Sequence, residues 1–173
     1  MIRNKDIFLY DVPNHKEHKK EIINLIKQIP QNTYMNISHC DYNLPNSLMR
    51  SWNNYFIKNI YFLWKDKFSD SINSDLILSN SWFQWYEKND FHEWHLHTGS
   101  HFTNVYYLNL PHKDMKTNIK DFDETKNIDV SEGQIISFPG YWKHKSPPNI
   151  YNEPKIIISF NINLKDFGEK NLY

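Results

Sequence analysis

A chain of 173 residues with one cysteine, Cys40, can form no internal disulfide, so packing has to hold the fold together. The opening residues, MIRNKDIFLY, lack the apolar stretch and small-residue cleavage site of a secretory signal. Both absences point to a reducing, cytoplasmic setting. Net charge is missing as well: 20 basic and 20 acidic side chains balance to zero, so no overall field draws the protein to nucleic acid or to an anionic membrane. Apolar runs such as Ile156 to Ile158 fall far short of the roughly 20 residues that span a bilayer, and no membrane partnership is expected. Glycine is scarce, with four residues (Gly99, Gly133, Gly140, Gly168) against 16% aromatic content, which excludes a low-complexity chain. No internal repeat is visible. The length suits a single domain, residues 1–173, that buries its own core.

Two amphipathic helices are expected in a supporting region, residues 1–75. Ile7 to Tyr10 reads as a short edge strand. Asn14 is placed to cap a helix, with Glu17 three residues on as in a capping box. Ile22, Ile23, Ile26 and Ile29 then share one helical stripe that ends at Pro30. A second helix is expected from near Asn46, with Leu48, Met49, Trp52, Tyr55, Phe56, Ile60, Leu63 and Trp64 recurring at steps of three and four. From residue 76 to 164 the pattern changes to strands: Leu76 to Tyr86, Phe91 to His97, Phe102 to Leu110, Gly133 to Phe138 and Lys155 to Leu164. The polar stretch Pro111 to Glu132 reads as a connection holding one or two short strands, such as Asn118 to Phe122. Short strands after helices predict a mainly β sandwich or barrel with helical support.

The chemistry lies in the histidines. On a strand, side chains two apart share a face, so His95 and His97 can grip one metal ion. A third imidazole from a distant strand, His144, would complete one face of an octahedron and leave the opposite positions open, as in non-haem Fe(II) oxygenases. Lys155, shortly afterwards, is placed to hold a dicarboxylate. Glu93 has the same strand parity and is a reserve ligand, or a partner that orients an imidazole. By that parity His92 should face away. Trp82, Trp85, Trp94 and Trp142 are candidates for an aromatic wall or for core packing.

The order of these motifs resembles the 2-oxoglutarate/Fe(II)-dependent oxygenases, most closely those of bacteria and phages. The resemblance runs from about Ser81 to Asn161: Trp82-Phe83-Gln84-Trp85-Tyr86, then His95-Leu96-His97, the strand Val105-Tyr106-Tyr107-Leu108, the Phe138-Pro139 turn before His144, and the final Ser159-Phe160-Asn161. It implies a double-stranded β-helix (a jelly-roll, cupin-like), with ferrous iron held by His95, His97 and His144. It further implies 2-oxoglutarate as cosubstrate, anchored by Lys155 and the Tyr107 hydroxyl, and O2 as oxidant. The implied reaction is hydroxylation of a C–H bond in a small molecule or protein side chain, with release of succinate and CO2.

Three positions depart from the family pattern. His97 stands where a carboxylate ligand is usual, Lys155 replaces an arginine, and Ile157 replaces a small polar residue. The first leaves a ferrous centre one unit more positive, and the second gives up the bidentate fork of a guanidinium. Two alternatives stay open: a cupin-like three-histidine dioxygenase that does not use 2-oxoglutarate, and a jelly-roll binding module with incidental histidines.

Overall fold

The computed structural model describes residues 2–4, 7–30, 33–34, 37–45 and 49–165. Among them, twelve strands form two antiparallel sheets. In chain order they are β1 (Ile2–Asn4), β2 (Ile7–Asp11), β3 (Thr33–Tyr34), β4 (Ser38–Cys40), β5 (Leu76–Tyr86), β6 (His92–His95), β7 (Phe102–Asn109), β8 (Asn118–Asp121), β9 (Glu124–Lys126), β10 (Gln134–Pro139), β11 (Lys143–Ser146) and β12 (Lys155–Leu164). The larger sheet runs β1-β2-β10-β7-β12-β5-β4-β3 and the smaller β6-β11-β8-β9. The result is the mainly β double-stranded β-helix that the sequence leads one to expect. No described helix is long and apolar enough to cross a membrane.

Period-two alternation explains how the long strands serve two cores at once. On β12, Ile156, Ile158, Phe160 and Ile162 pack toward the helices. Ile157 packs between the sheets, and Lys155, Ser159 and Asn161 share its parity. On β7, Tyr106 and Leu108 face the helices, whereas Val105 and Tyr107 face the smaller sheet. The central strands are therefore buried on both faces, which is why Lys155 to Leu164 reads as an almost unbroken apolar run.

The helices are α1 (His15–Ile26), α2 (Ser51–Phe56) and α3 (Phe62–Ile72), the last two joined by a π-helical segment at Ile57–Tyr61. Trp52, Phe56, Ile60, Trp64 and Phe68 are all buried against the larger sheet. A strict four-residue spacing precesses by about 40° per step on an α-helix. The wider i→i+5 turn at 57–61 takes up that drift and keeps the stripe on one face. Burying each of these side chains contributes roughly 1.5–3 kcal/mol.

Several expectations need correction. Asn14 sits at the N-cap position of α1, but in the left-handed region (φ 51°) and with no side-chain cap bond; its carbonyl accepts from the Glu17 and His18 amides instead. α1 ends at Ile26, before Pro30. The proposed helix start at Asn46 and the stripe residue Leu48 lie outside the described residues, and α2 begins at Ser51. β2 is not an edge, because β1 flanks it on one side and β10 on the other. The region before residue 76 thus adds strands as well as helices. β4 and β11 are three and four residues long, too short to leave a periodic signal.

Asp41 fastens the helical layer to the sheet. It is fully buried, accepts from the Trp52 indole (2.9 Å) and the Phe83 amide (3.0 Å), and meets Arg50 Nε at 3.3 Å. Asp41→Ala would leave an indole N–H and an amide without their acceptor and would take the counter-charge from the Arg50 guanidinium. We expect a loss of about 3 kcal/mol, read as a lower urea midpoint with an unchanged slope.

Candidate metal centre

His95 and His144 meet because β6 pairs with β11 in a register that sets them directly opposite each other. Facing residues on an antiparallel pair point to the same side. His97 lies just past the end of β6. Its amide donates to the Gly140 carbonyl (3.0 Å), and the Gly140 amide donates to the His101 carbonyl (2.9 Å), so the Phe138-Pro139-Gly140 turn clamps the loop that carries it. The ligand atoms of His95, His97 and His144 all lie within 4.8 Å of one another.

Each ring's outer hydrogen bond fixes its tautomer. His95 Nδ1 lies 2.8 Å from the Glu93 carbonyl oxygen, His144 Nδ1 lies 3.2 Å from the Trp142 carbonyl oxygen, and His97 Nδ1 lies 2.9 Å from Asn161 Oδ1. All three partners can only accept. Each Nδ1 therefore carries the proton, and each Nε2 keeps a lone pair for a metal. Burial lowers the pKa of His95, and burial together with the neighbouring imidazoles pushes His97 down to about 4 and His144 well below its usual range. All three rings are neutral, ligand-ready bases near pH 7.

Glu93 contributes only its backbone. The residue is exposed, and the cluster of converging ligand atoms does not include its carboxylate. His92 departs from the strand parity. Between His144 opposite His95 and Ser146 opposite His92, β6 carries one residue more than β11. Such a bulge re-aims a side chain, and the His92 ring stacks on His95 instead of facing away.

Lys155 opens β12 opposite Tyr86, the last residue of β5. It is 1% exposed, and its ammonium donates to Ser146 Oγ (2.9 Å) and lies 5.2 Å and 6.0 Å from the ring centroids of Tyr86 and Tyr107. Burial pulls its pKa down to about 7. The Tyr107 hydroxyl accepts from the Thr117 amide at 3.1 Å, so it already has a partner in the space between the sheets. Ile157 borders the narrow space among the imidazoles.

Asn161, Ser146 and Tyr86 belong to this site although none of them has an individual role in the reading of the sequence. Asn161 shares the parity of Lys155 on one strand, and that signal was open to the sequence. Ser146 and Tyr86 come close only through pairing across strands. Of the four tryptophans, Trp82 alone stands at the centre, stacked on His97 with centroids 5.5 Å apart. Trp85 packs against the helical core, Trp142 lies in the core between the sheets, and Trp94 lies under the ammonium groups of Lys120 and Lys145. A cavity of about 510 Å³ opens over His95 and His97, walled by Tyr42, Trp82, Gln84, Ser100 and Asn161 among others.

Two outcomes follow from this geometry. A Cβ on Gly140 would collide with the Ser100 carbonyl oxygen and crowd the His97 carbonyl. Gly140→Ala should therefore displace His97 and weaken Co(II) binding at least tenfold in a metal titration, with the far-UV spectrum retained. For Lys155, the folded-state pKa of about 7 lies below the unfolded value of about 10.4. Between those values the unfolded chain holds the proton more tightly, so this group's contribution to stability is full above the unfolded value and is lost as pH falls to about 7. Lys155→Met should raise the metal-free Tm by about 5 °C at pH 6, and the advantage should shrink as pH rises from 7 toward 10.

No protein-family model matches this sequence, and no curated protein matches it. Solved structures do. An oxidoreductase of the 2OG-Fe(II) oxygenase family from Burkholderia pseudomallei aligns over 91% of this chain and 84% of its own at a TM-score of 0.72, with 10% identity. The viral collagen prolyl hydroxylase of Paramecium Bursaria Chlorella virus-1, as a 2OG complex, aligns over 92% and 96% at 0.59, with 17% identity. HygX from Streptomyces hygroscopicus, with nickel and 2-oxoglutarate bound, aligns over 94% and 83% at 0.64, with 8% identity. The chain has the double-stranded β-helix fold of the 2OG-Fe(II) oxygenases.

Proposed function

We propose that this protein is a non-haem iron dioxygenase that uses Fe(II), 2-oxoglutarate and O2 to hydroxylate a C–H bond of a small molecule or side-chain substrate. The observation that carries the reading is the pairing of three converging Nε2 lone pairs with a buried Lys155 amine that has no carboxylate partner among the described residues. The first fits a divalent cation that needs open coordination positions. The second fits an organic acid, since a buried charge is costly until it is paired. HygX, of the same fold, holds nickel and 2-oxoglutarate.

His95, His97 and His144 would hold the iron on one side and leave the opposite side to the cosubstrate and O2. Lys155 would pair with the far carboxylate of 2-oxoglutarate, steadied by Ser146 between the rings of Tyr86 and Tyr107. When bound, iron and 2-oxoglutarate supply the oxidising chemistry, in which decarboxylation to succinate and CO2 accompanies transfer of an oxygen atom to the substrate. The chain's own part is to orient the imidazoles through Asn161 and two backbone carbonyls, to exclude water from the cosubstrate end, and to seat the substrate in the open cavity beside Trp82. The all-imidazole ligand set also fits a dioxygenase that binds its substrate directly without 2-oxoglutarate. Lys155, which has no carboxylate partner among the described residues, favours the first reading.

Anaerobic addition of Fe(II) and 2-oxoglutarate should produce a visible metal-to-ligand charge-transfer band. His144→Ala should abolish it and Lys155→Met should weaken 2-oxoglutarate binding at least tenfold. Because Lys155 must be charged to pair, binding at pH 8 should take up close to one proton, measured by calorimetry in buffers of different ionisation enthalpy. Iron binding without any such band would overturn the 2-oxoglutarate assignment and favour the direct-binding dioxygenase.

A further inference from the structure

Four imidazoles, not three, meet at the end of β6. The His92 ring lies 3.8 Å from that of His95, with planes 15° from parallel, and it borders both the open cavity and the narrow space among the other three. Its hydrogen bonding is the reverse of theirs. The side-chain amide nitrogen of Gln84, which can only donate, lies 3.3 Å from His92 Nδ1. Nδ1 therefore accepts, and in the neutral ring the proton sits on Nε2. Three rings offer lone pairs and the fourth offers an N–H.

The charge around this group is one-sided. The described lining of the open cavity carries no carboxylate, ammonium or guanidinium. A set of three neutral imidazoles leaves the full charge of a divalent cation uncompensated, and water is largely excluded from its inner side. A cation so placed, with a hydrogen-bond donor at its rim, draws an anionic group. We propose that the open side of the metal centre is an anion site in which His92 Nε2–H donates a hydrogen bond to a carboxylate-type group bound at or beside the metal. This rests on the metal-centre reading above. The group can come from two sources, the 1-carboxylate of 2-oxoglutarate or an anionic group of the primary substrate.

The test uses the protein loaded with Co(II), whose visible bands report binding without turnover. Three probes are titrated: 2-oxoglutarate, azide added to the Co(II)–2-oxoglutarate protein, and neutral imidazole in place of azide. If the substrate is the source, His92→Phe weakens azide about tenfold, shifts its infrared stretch, and leaves imidazole binding within twofold. His92→Gln, which restores an N–H donor, recovers most of the affinity. Gln84→Leu, which leaves the ring in place but frees its proton, loses a smaller part. If the cosubstrate is the source, His92→Phe weakens 2-oxoglutarate by a similar factor and azide binding to the saturated protein is unchanged. The proposal is overturned if neither anion responds to His92→Phe, or if imidazole weakens as much as azide, which would mark general damage to the site. Failure of Co(II) to bind the wild-type protein overturns the metal-centre reading and this proposal together, whereas Co(II) and 2-oxoglutarate binding with no effect of His92 overturns this proposal alone.

Discussion

His144 stands directly opposite His95 across the β6–β11 pair, and the cluster of three imidazoles is arranged around that juxtaposition. A slip of one residue in this register would turn His144 to the outer face of the smaller sheet, because side-chain direction alternates along a strand. What holds the register is the burial pattern of β11. His144 and Ser146 are buried, while Lys143 is exposed and Lys145 half-buried, and the reverse arrangement would bury two ammonium groups. Ile119, facing His144 from β8, is fully buried in the same layer. Hydrophobic contact between the sheets thus selects the register, and the register brings the imidazoles together.

Fixing positions is not enough for a metal ligand, since an imidazole can present either nitrogen. Here the acceptor beyond each ring decides the matter. Two acceptors are backbone carbonyls, those of Glu93 and Trp142, each two residues before the histidine it serves. No point mutation of a side chain removes them. The third, Asn161, is a side chain on β12, so the position past the end of β6 depends on the larger sheet for its orientation. The clamp by Gly140 and the hydrogen bond from His97 to Asn161 therefore act together: one fixes the backbone of His97 and the other its ring.

Much of this was legible in the sequence, for identifiable reasons. Leu76 to Tyr86 and Lys155 to Leu164 are long strands rich in aromatic and β-branched residues, and their observed limits coincide with those read from the residues. The convergence of His95, His97 and His144 was anticipated from spacing and from family resemblance. The failures share a cause: they concern relations between strands. A four-residue strand such as β11 carries too few alternations for its limits to be read. The turn of His92 toward the other imidazoles follows from a bulge defined by its partner strand, and nothing in Phe91-His92-Glu93-Trp94-His95 announces it. Asn14 shows the same limit at shorter range, because the residue type allows both a side-chain cap and a left-handed turn, and the chain path decides between them.

The placement of Lys155 shows where the fold stores an electrostatic deficit. Its side chain has Ser146 as a hydrogen-bond partner and two tyrosine rings as neighbours, yet it is as buried as the residues of the aromatic core behind it. Ring faces and a hydroxyl replace only part of the hydration that an ammonium loses, and the depressed pKa is the sign of what is left over. The same strand turns Ile156, Ile158, Phe160 and Ile162 toward Trp52, Phe56 and Trp64, and that side of β12 offsets the strain of the other. A ligand that brings a carboxylate to Lys155 removes the deficit at the moment of binding. Pairing at Lys155 would therefore be coupled to uptake of a proton near and above pH 7, a linkage that a solvent-exposed lysine in high dielectric would not show.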